Sequence, residues 1–460
     1  MQKKIDSPVP QNPLTTAPIP GLIRKIGIPV SIGAFFNTMF NVVDTYYGGL
    51  ISNDALAALS LSFPVYFIII ALAFGLSFGN TALIGNALGS GDEVGAEKYA
   101  VQGIVFGMVL AVFVTILGVA ISPPLFRFLG ASDDYLAISL SYIQPIFYGT
   151  IFFTTAQMLN SVLSASGNTK PFRNFLVTGF LLNLVLDPGF IFGGFGLPPL
   201  GITGIALATI LVQFLGCLYL SYEVARSGLI SRESLRQYLR PELAAIGQIT
   251  RQGFPNIVDL GSVSIGFFII TYFVSLFGQN AVAAFGAAAR VEQLALLPII
   301  GIDVATLSLI AQNYGAKLPD RMYETLATAL RYGVIVLTIG AILIAIFATQ
   351  LMGLFSNNAE VISIGSAYIY IKALALPAAA FAFLPAAALR GIKKPLPALG
   401  LTVTRMVILP TLLMILLVQF LGFGVITIWW ITGGVIFVMA FVSYFYSRRL
   451  LAQATAVLIP

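Results

Sequence analysis

The stretch FFNTMFNVVDTYYGG (residues 35–49) is apolar enough to lie inside a lipid bilayer, yet it contains the carboxylate of Asp44. The stretch NFLVTGFLLNLVLDPGFIFGG (residues 174–194) has the same character and contains Asp187. An ionised carboxylate at the centre of a spanning helix is unfavourable by roughly 3 kcal/mol. A chain that keeps two of them is expected to use them, and the first hypothesis is an ion, proton or substrate site.

The composition predicts a polytopic membrane protein. Of the 460 residues, 58% are hydrophobic and only 9% are charged, whereas an average soluble protein is about 25% charged. Residues 1–20 lack the apolar core of a cleaved signal peptide, so we expect the first span to direct insertion. The chain has one cysteine, Cys217, and no histidine. We therefore expect no metal and no cofactor, and we assign any proton chemistry to carboxylates.

Hydropathy predicts an all-α protein with twelve transmembrane helices, each long enough for the ~20 residues that cross a bilayer. The predicted spans cover residues 26–50, 61–88, 100–122, 135–160, 173–193, 202–222, 255–277, 282–313, 330–350, 361–388, 397–420 and 425–447. Lysine and arginine fill alternate loops, whereas the opposite loops contain only Arg127. By the positive-inside rule both termini are cytoplasmic. We expect a multi-pass protein of a bacterial or archaeal plasma (inner) membrane.

The two halves of the chain repeat each other. A shift of 226 residues aligns LISNDALAAL (50–59) with LFGQNAVAAF (276–285) and Pro29 with Pro255. At a shift of 224, SGNTKP (166–171) aligns with RGIKKP (390–395). Because each unit has six spans, both units insert the same way round. We therefore predict two six-helix lobes related by a pseudo-two-fold axis along the membrane normal.

This repeat predicts five segments along the chain. They are an N-terminal cytoplasmic tail (1–25), an N-lobe (26–222), a cytoplasmic linker (223–253), a C-lobe (254–447) and a C-terminal cytoplasmic tail (448–460). The linker contains five arginines and three glutamates. A helix on the anionic inner leaflet and a plain solvated connector both fit that composition.

Asp44 and Asp187 are predicted to lie at one depth in the N-lobe. Each follows the expected start of its span by 15 residues, which is about 22 Å at 1.5 Å per helical residue. Asn183 shares a helix face with Asp187, and Asn37 and Asn41 form a stripe with Asp44. In the second half Ile270 and Thr411 occupy the aligned positions, so the repeat retains neither carboxylate.

A pair of neighbouring carboxylates can load and release a proton as a unit, because both do not ionise easily together. The amides of Asn41 and Asn183 can bond either protonation state, and Tyr142 of the fourth span can reach the same level. The alternative is a structural polar network that joins the first and fifth spans. Pro29 and Pro188 act either as hinges or as helix punctuation, and Pro188 disfavours helical geometry at Asp187.

The second half has membrane charges of its own, which are Arg290, Glu292 and Asp303 on the eighth span, Lys372 on the tenth, Arg405 on the eleventh and Asp259 on the seventh. Glu292 and Lys372 are predicted to form an ion pair near the midplane. A structural salt bridge and a second coupling or substrate site both remain open for these residues.

The motifs around the two aspartates resemble those of the multidrug and toxic compound extrusion (MATE) transporters. The similarity includes FNTMFNVVDTYYGG, NALGSGD (86–92), LLNLVLDPGFIFG and GITGIALAT (201–209), and it extends over residues 20–450. The aspartate of the fifth span points to the DinF-like branch. The resemblance implies two rocking lobes that export drug-like, often cationic or amphipathic compounds against a proton or sodium gradient.

By position, the resemblance makes Asp44, Asn183, Asp187 and Tyr142 the coupling site, with Pro29 as the hinge. We assign proton or cation coupling to Asp44, Asp187, Asn183 and Asn41, and substrate binding to Tyr142, Asn37, Asp44 and Asn183. The other large branch of the family has acidic residues in the second lobe, where this chain has Lys372. The resemblance therefore makes a sodium site in the second lobe doubtful.

We predict a secondary active multidrug antiporter, coupled to H⁺ or alternatively Na⁺, and not an enzyme. Its expected partners are small drug-like molecules and the bilayer, with no nucleic acid, and we expect a monomer. One alternative is a lipid-linked precursor flippase, which needs a cationic central cavity that Arg290, Lys372 and Arg405 can supply. A further alternative is an intramembrane aspartyl enzyme that uses the Asp44/Asp187 pair.

Overall fold

The computed structural model describes residues 12–128, 132–194 and 196–456, and nearly all of these residues are helical. Within them, twelve helices are long and apolar enough to cross a membrane. They are α1 (Ile19–Ile51), α2 (Asn53–Gly89), α3 (Glu93–Phe128), α4 (Asp133–Ala165), α5 (Lys170–Ile191), α6 (Ile202–Ser227), α7 (Leu243–Ser275), α8 (Gln279–Gly315), α9 (Pro319–Ile346), α10 (Ala359–Gly391), α11 (Pro395–Phe420) and α12 (Val425–Ala456). The predicted all-α fold with twelve spans is confirmed.

Most helices are longer than the apolar segments that predicted them. α1 begins at Ile19, inside the segment predicted as a tail (1–25), and α12 continues to Ala456, through most of the predicted C-terminal tail. Hydropathy reports only the apolar part of a helix, whereas the backbone hydrogen bonds can continue into the aqueous phase. Residues 1–11 and 457–460, which complete the two predicted tails, lie outside the described residues.

The six-helix repeat is visible in the helix boundaries. α2 and α8 both have 37 residues, and α4 and α10 both have 33. In each pair the first and last residues are 226 positions apart, as the aligned motifs predict. α5 and α11 differ, because α11 contains two π-helical segments, Thr404–Ile408 and Ile415–Phe420. We call α1–α6 the N-lobe and α7–α12 the C-lobe.

The two lobes pack closely at the end of the molecule where the described termini lie, which we call the base. Glycines allow the helix backbones to approach there: a Cβ atom on Gly79 of α2 would lie 2.6 Å from the backbone nitrogen of Gly253 of α7. A Cβ atom on Gly27 of α1 would lie 3.2 Å from the carbonyl oxygen of Gly301 of α8. Small residues are the usual means by which membrane helices pack tightly.

The linker is held against the N-lobe. The fully buried Gln102 of α3 donates to the carbonyl oxygens of Tyr238 and Arg240, each at 2.7 Å, and accepts from the backbone N–H of Glu242 at 2.8 Å. The linker's own helix (Arg232–Gln237) has only six residues. The linker is therefore a connector that packs against α3. It is neither a long amphipathic helix nor a free loop.

The two prolines singled out in the sequence, Pro29 and Pro188, lie inside helices. Pro29 is ten residues past the start of α1, so it is not a first-turn proline as the predicted span boundary allowed. Its ring nitrogen cannot donate to the preceding turn, which weakens α1 at this level. α5 continues through Pro188 to Ile191, so Asp187 keeps helical geometry, contrary to the expectation from its neighbour. Because Pro188 has no backbone N–H, it removes one backbone hydrogen bond in the last turn of α5.

We expect Gly79→Ala to separate the lobes at the base, because its methyl group would enter the space filled by the backbone of Gly253. The distance between spin labels on cysteines placed at Val94 and Leu396, both exposed at the base, should increase by several ångströms. Gly247→Ala is the matched control, since a Cβ atom there meets nothing within 4 Å. An unchanged label distance in Gly79→Ala would contradict the proposed contact.

Candidate functional site

One amide joins the two membrane carboxylates. The side-chain Nδ2 of Asn183 donates to Oδ1 of Asp44 and to Oδ1 of Asp187, both at 3.0 Å. Asn183 and Asp187 are fully buried, and Asp44 is 8% exposed. The predicted convergence of the two aspartates from α1 and α5 is therefore found in the structure, and Asn183 takes the bridging position.

Two further helices complete the surroundings of Asp44. Thr209 of α6 donates its hydroxyl to Oδ2 of Asp44 at 3.4 Å. Tyr66 of α2 and Tyr142 of α4 are close enough to interact with the charge of Asp44. Tyr142 is buried in the outer core of the N-lobe, away from the base. The site therefore draws on five of the six N-lobe helices.

Two polar atoms of this site have no hydrogen-bond partner among the described residues. They are Oδ1 of Asn183 and Oδ2 of Asp187. Both are acceptors while Asp187 is ionised, so they cannot bond to each other in that state. Buried polar atoms without partners are costly. Each of the two atoms can therefore accept one more hydrogen bond.

The asparagines of α1 lie elsewhere. Asn41 donates to the backbone carbonyl of Asn37 at 2.8 Å, and Asn37 is exposed. The amide of Asn41 therefore bonds to its own helix, and the expectation that it would bond a carboxylate of the pair is not met. Asn37 is exposed and Asn41 is half-buried, so a substrate could still reach both.

Sequence reasoning missed Thr209 and Tyr66. Thr209 is the last residue of the motif GITGIALAT, so the family resemblance already included this residue without giving it a role. Threonines in apolar helices usually bond to their own backbone, so position alone gave Thr209 no role. Tyr66 lies in an apolar run and carries no charge that would distinguish it from a core residue.

A cavity of about 770 Å³ lies on the basal side of the carboxylates, between α1, α5 and α6. Its walls include Gly179, one helical turn before Asn183, and Val212, about one turn after Thr209. Arg173 and Asn174 line the same cavity and lie in the first turn of α5, toward the base. This cavity approaches the carboxylate site to within one helical turn along α5.

The C-lobe has a polar cluster at the related position. Nζ of Lys372 lies 3.2 Å from Oε1 of Glu292, which confirms the predicted ion pair, and the hydroxyl of Tyr368 donates to Oε2 of Glu292. By the 226-residue repeat, Glu292 corresponds to Tyr66 and Tyr368 to Tyr142. The C-lobe thus holds a carboxylate together with its own cation.

The remaining membrane charges of the C-lobe lie nearer the base. Arg390 binds Asp303 at 2.6 Å and Asp259 at 3.8 Å. Arg405 is buried, and its guanidinium carbon lies 3.9 Å from the ring centroid of Phe383. Two acids and two arginines in one region leave it without net charge.

Two parallel six-helix repeats, packed together in a bilayer-spanning fold with acidic side chains buried inside it, are the architecture of a secondary transporter. A family model described as MatE matches residues 29–188 and 255–416, one copy in each lobe. The chain belongs to the MatE family, and the predicted resemblance is confirmed at that level, while the DinF-like branch stays a prediction.

Similar proteins and structures agree. The chain is 28% identical to the FAD transporter of Shewanella oneidensis over 86% of this chain and 87% of the relative. It is 25% identical to the probable multidrug resistance protein NorM of Thermotoga maritima over 82% and 81%. The solved outward-facing conformation of a multidrug resistance MATE transporter of the MOP superfamily has a TM-score of 0.90, with 26% identity over 97% of this chain and 99% of the other. These proteins are transporters.

We expect Asn183→Asp to destabilise the protein, because three buried carboxylates would then share no amide donor. The loss should be about 1–3 kcal/mol, the cost of leaving a buried polar group without its partner, and thermal unfolding in detergent measures it. The double variant Asn183→Asp/Asp187→Asn returns an amide to the same face of α5 and should recover most of the loss. Asn174→Asp, at an exposed position of α5, is the control. Equal losses in the single and double variants would contradict a bridging role for the amide.

Proposed function

We propose that this protein exports amphipathic drug-like compounds, many of them cationic, by antiport with protons. The proton would load on the Asp44/Asp187 pair, and Tyr142, Asn37, Asp44 and Asn183 would contribute to substrate binding. The termini would face the cytoplasm of a bacterial or archaeal cell. The observation that carries the proposal is the single amide of Asn183 shared by two buried carboxylates.

The hydrogen-bond arrangement favours a proton as the coupling ion. A proton on Oδ2 of Asp187 would give that atom a hydrogen to donate, and Oδ1 of Asn183 is an acceptor without a partner. It would also remove one of two like charges from a region of low dielectric constant. Among the described residues, the N-lobe has no basic side chain that pairs with either aspartate. No metal or cofactor is needed in this scheme, and Na⁺ remains the alternative coupling ion.

The path of α1 explains how a change at the carboxylates could move the lobes. Its basal part packs on the C-lobe, where Gly27 meets Gly301, and its outer part lies in the N-lobe, where Gly48 packs near Ile205. Pro29 lies between these two contacts, at a level where α1 lacks a backbone hydrogen bond. Protonation would change the hydrogen bonds that Asp44 accepts from Asn183 and Thr209. α1 would then bend at Pro29, the proposed hinge.

The energetics of proton coupling are sufficient for export. One proton that crosses a potential of 100 mV releases about 2.3 kcal/mol. That energy supports roughly a 50-fold concentration gradient of a neutral solute. Lobe rocking driven by this exchange requires no bound nucleotide.

The rival functions receive less support. A flippase for a lipid-linked pyrophosphate needs several cations in a central cavity, but Lys372 is paired with Glu292 and Arg405 is buried against Phe383. An intramembrane aspartyl enzyme has no counterpart among the transporters that this chain is similar to. Export of a small fluorescent cation, rather than of a lipid-linked substrate, would separate the first rival from the proposed antiporter.

We expect Asp44→Asn to abolish pH-driven transport, because it removes one carboxylate of the pair and with it the like charge that favours a proton on Asp187. Purified protein in proteoliposomes, given a pH gradient without sodium and a sodium gradient without a pH difference, would measure the rates of rhodamine 6G transport. The pH-driven rate should fall at least about tenfold, a change of about 1.4 kcal/mol.

Asp54→Asn is the matched control, since Asp54 is an exposed acid of the same lobe and should transport normally. Wild-type rates in Asp44→Asn would remove the proposed role of the aspartate pair. Transport by the unmodified protein under the sodium gradient alone would replace H⁺ by Na⁺ as the coupling ion.

A further inference from the structure

Arg290 differs from every other charged side chain in the outer half of the C-lobe. It is exposed, and it makes no hydrogen bond or ion pair with any described residue. Lys372 and Glu292, on the same level, are paired with each other and mostly buried. Arg290 lies 11 residues from the outer end of α8, which is about 16 Å at the helical rise and therefore well inside the bilayer.

The face of α8 that contains Arg290 points at the N-lobe. Gly301 packs on Gly27 of α1 at the base, and Arg290 precedes Gly301 by 11 residues, or about three helical turns. The two residues therefore lie in one line along α8, and Leu294, which is 46% exposed, lies between them on that line. Above the basal contact, this line of α8 therefore faces α1 of the N-lobe.

The opposite wall presents no competing charge. The line of α1 that begins at Gly27 continues through Ser31, Thr38, Asn41 and Thr45. The side chains of these four residues donate to backbone carbonyls one turn earlier, and all four are neutral. Asp44 lies on a different side of α1, buried against Asn183.

The repeat gives Arg290 no counterpart, because the aligned residue of α2 is Pro64. The facing lines of α1 and α8 are therefore electrostatically asymmetric: one positive charge on the C-lobe side is opposite hydroxyl and amide groups on the N-lobe side. A single arginine exposed to hydrocarbon is strongly unfavourable. That cost is avoided when Arg290 faces water between the lobes, where its guanidinium can bind an anion.

We propose that Arg290 is an anion subsite, through which the protein binds amphipathic compounds with a carboxylate or phosphate group in addition to the cationic ones. The planar guanidinium presents a fork of N–H donors that matches both groups. The apolar body of such a compound can lie against the exposed Leu294, while its anionic group binds Arg290. The inference rests on the proposed export function and adds a second class of substrate to it.

The test uses two dyes with a common ring system and opposite charge, carboxyfluorescein and rhodamine 6G. Their binding to the purified protein in detergent is measured by fluorescence anisotropy, and their export is measured in proteoliposomes. Arg290→Gln should weaken the binding of carboxyfluorescein about tenfold, the effect of one charge-assisted hydrogen bond. The same variant should leave rhodamine 6G binding unchanged or tighter, and Arg290→Glu should strengthen that preference for the cation.

Arg331→Gln is the matched control. Arg331 is exposed on α9, on the side opposite to Gly333, which packs on α10, so its removal should alter neither dye. Equal binding of carboxyfluorescein by the unmodified protein and Arg290→Gln, or no binding by either, would overturn the anion subsite. Arg290-dependent binding without export in any gradient would instead refute the export function and leave the subsite standing.

Discussion

The amide of Asn183 is the contact on which the N-lobe site depends. Two carboxylates in a medium of low dielectric constant repel each other and lose their hydration, so they need donors close by. The Nδ2 group has two hydrogens, and the structure assigns one to Asp44 and one to Asp187. This sharing fixes the relative height of α1 and α5, and Thr209 adds α6 through the second oxygen of Asp44. The bonds leave one acceptor on each of Asn183 and Asp187 unsatisfied.

That incomplete network matters because α1 belongs to both lobes. The basal part of α1 contributes Ile19, Ile23 and Ile26 to the same hydrophobic core as the C-lobe helices. Its outer part ends in the N-lobe at the carboxylate site. A helix anchored in two bodies, with a proline between the anchors, transmits any change at one anchor as a bend. α7 has the related Pro255, but Ile270 replaces the carboxylate at the position of Asp44, so α7 has no acid at that depth.

Much of the fold and part of the site could be predicted from the sequence. Apolar length gave the twelve spans, and counting residues from each span start placed Asp44 and Asp187 at one depth. Rotation about a helix axis was harder to predict: residue spacing predicted that Asn41 shares a stripe with Asp44, yet its amide bonds to Asn37 of its own helix. Hydropathy also shortened most helices, because it does not register the turns that continue into water, as at Ile19.

The repeat explains why the two lobes hold different chemistry. At the position of Tyr66 the C-lobe has Glu292, and Lys372 lies 3.2 Å from that carboxylate. A carboxylate with a tethered ammonium is already neutralised, and it gains little from a proton or a free cation. The aspartates of the N-lobe have only an amide and a hydroxyl, which donate hydrogen bonds but bring no positive charge. A proton, the proposed coupling ion, would neutralise one of them, and Oδ2 of Asp187 has no hydrogen-bond partner among the described residues.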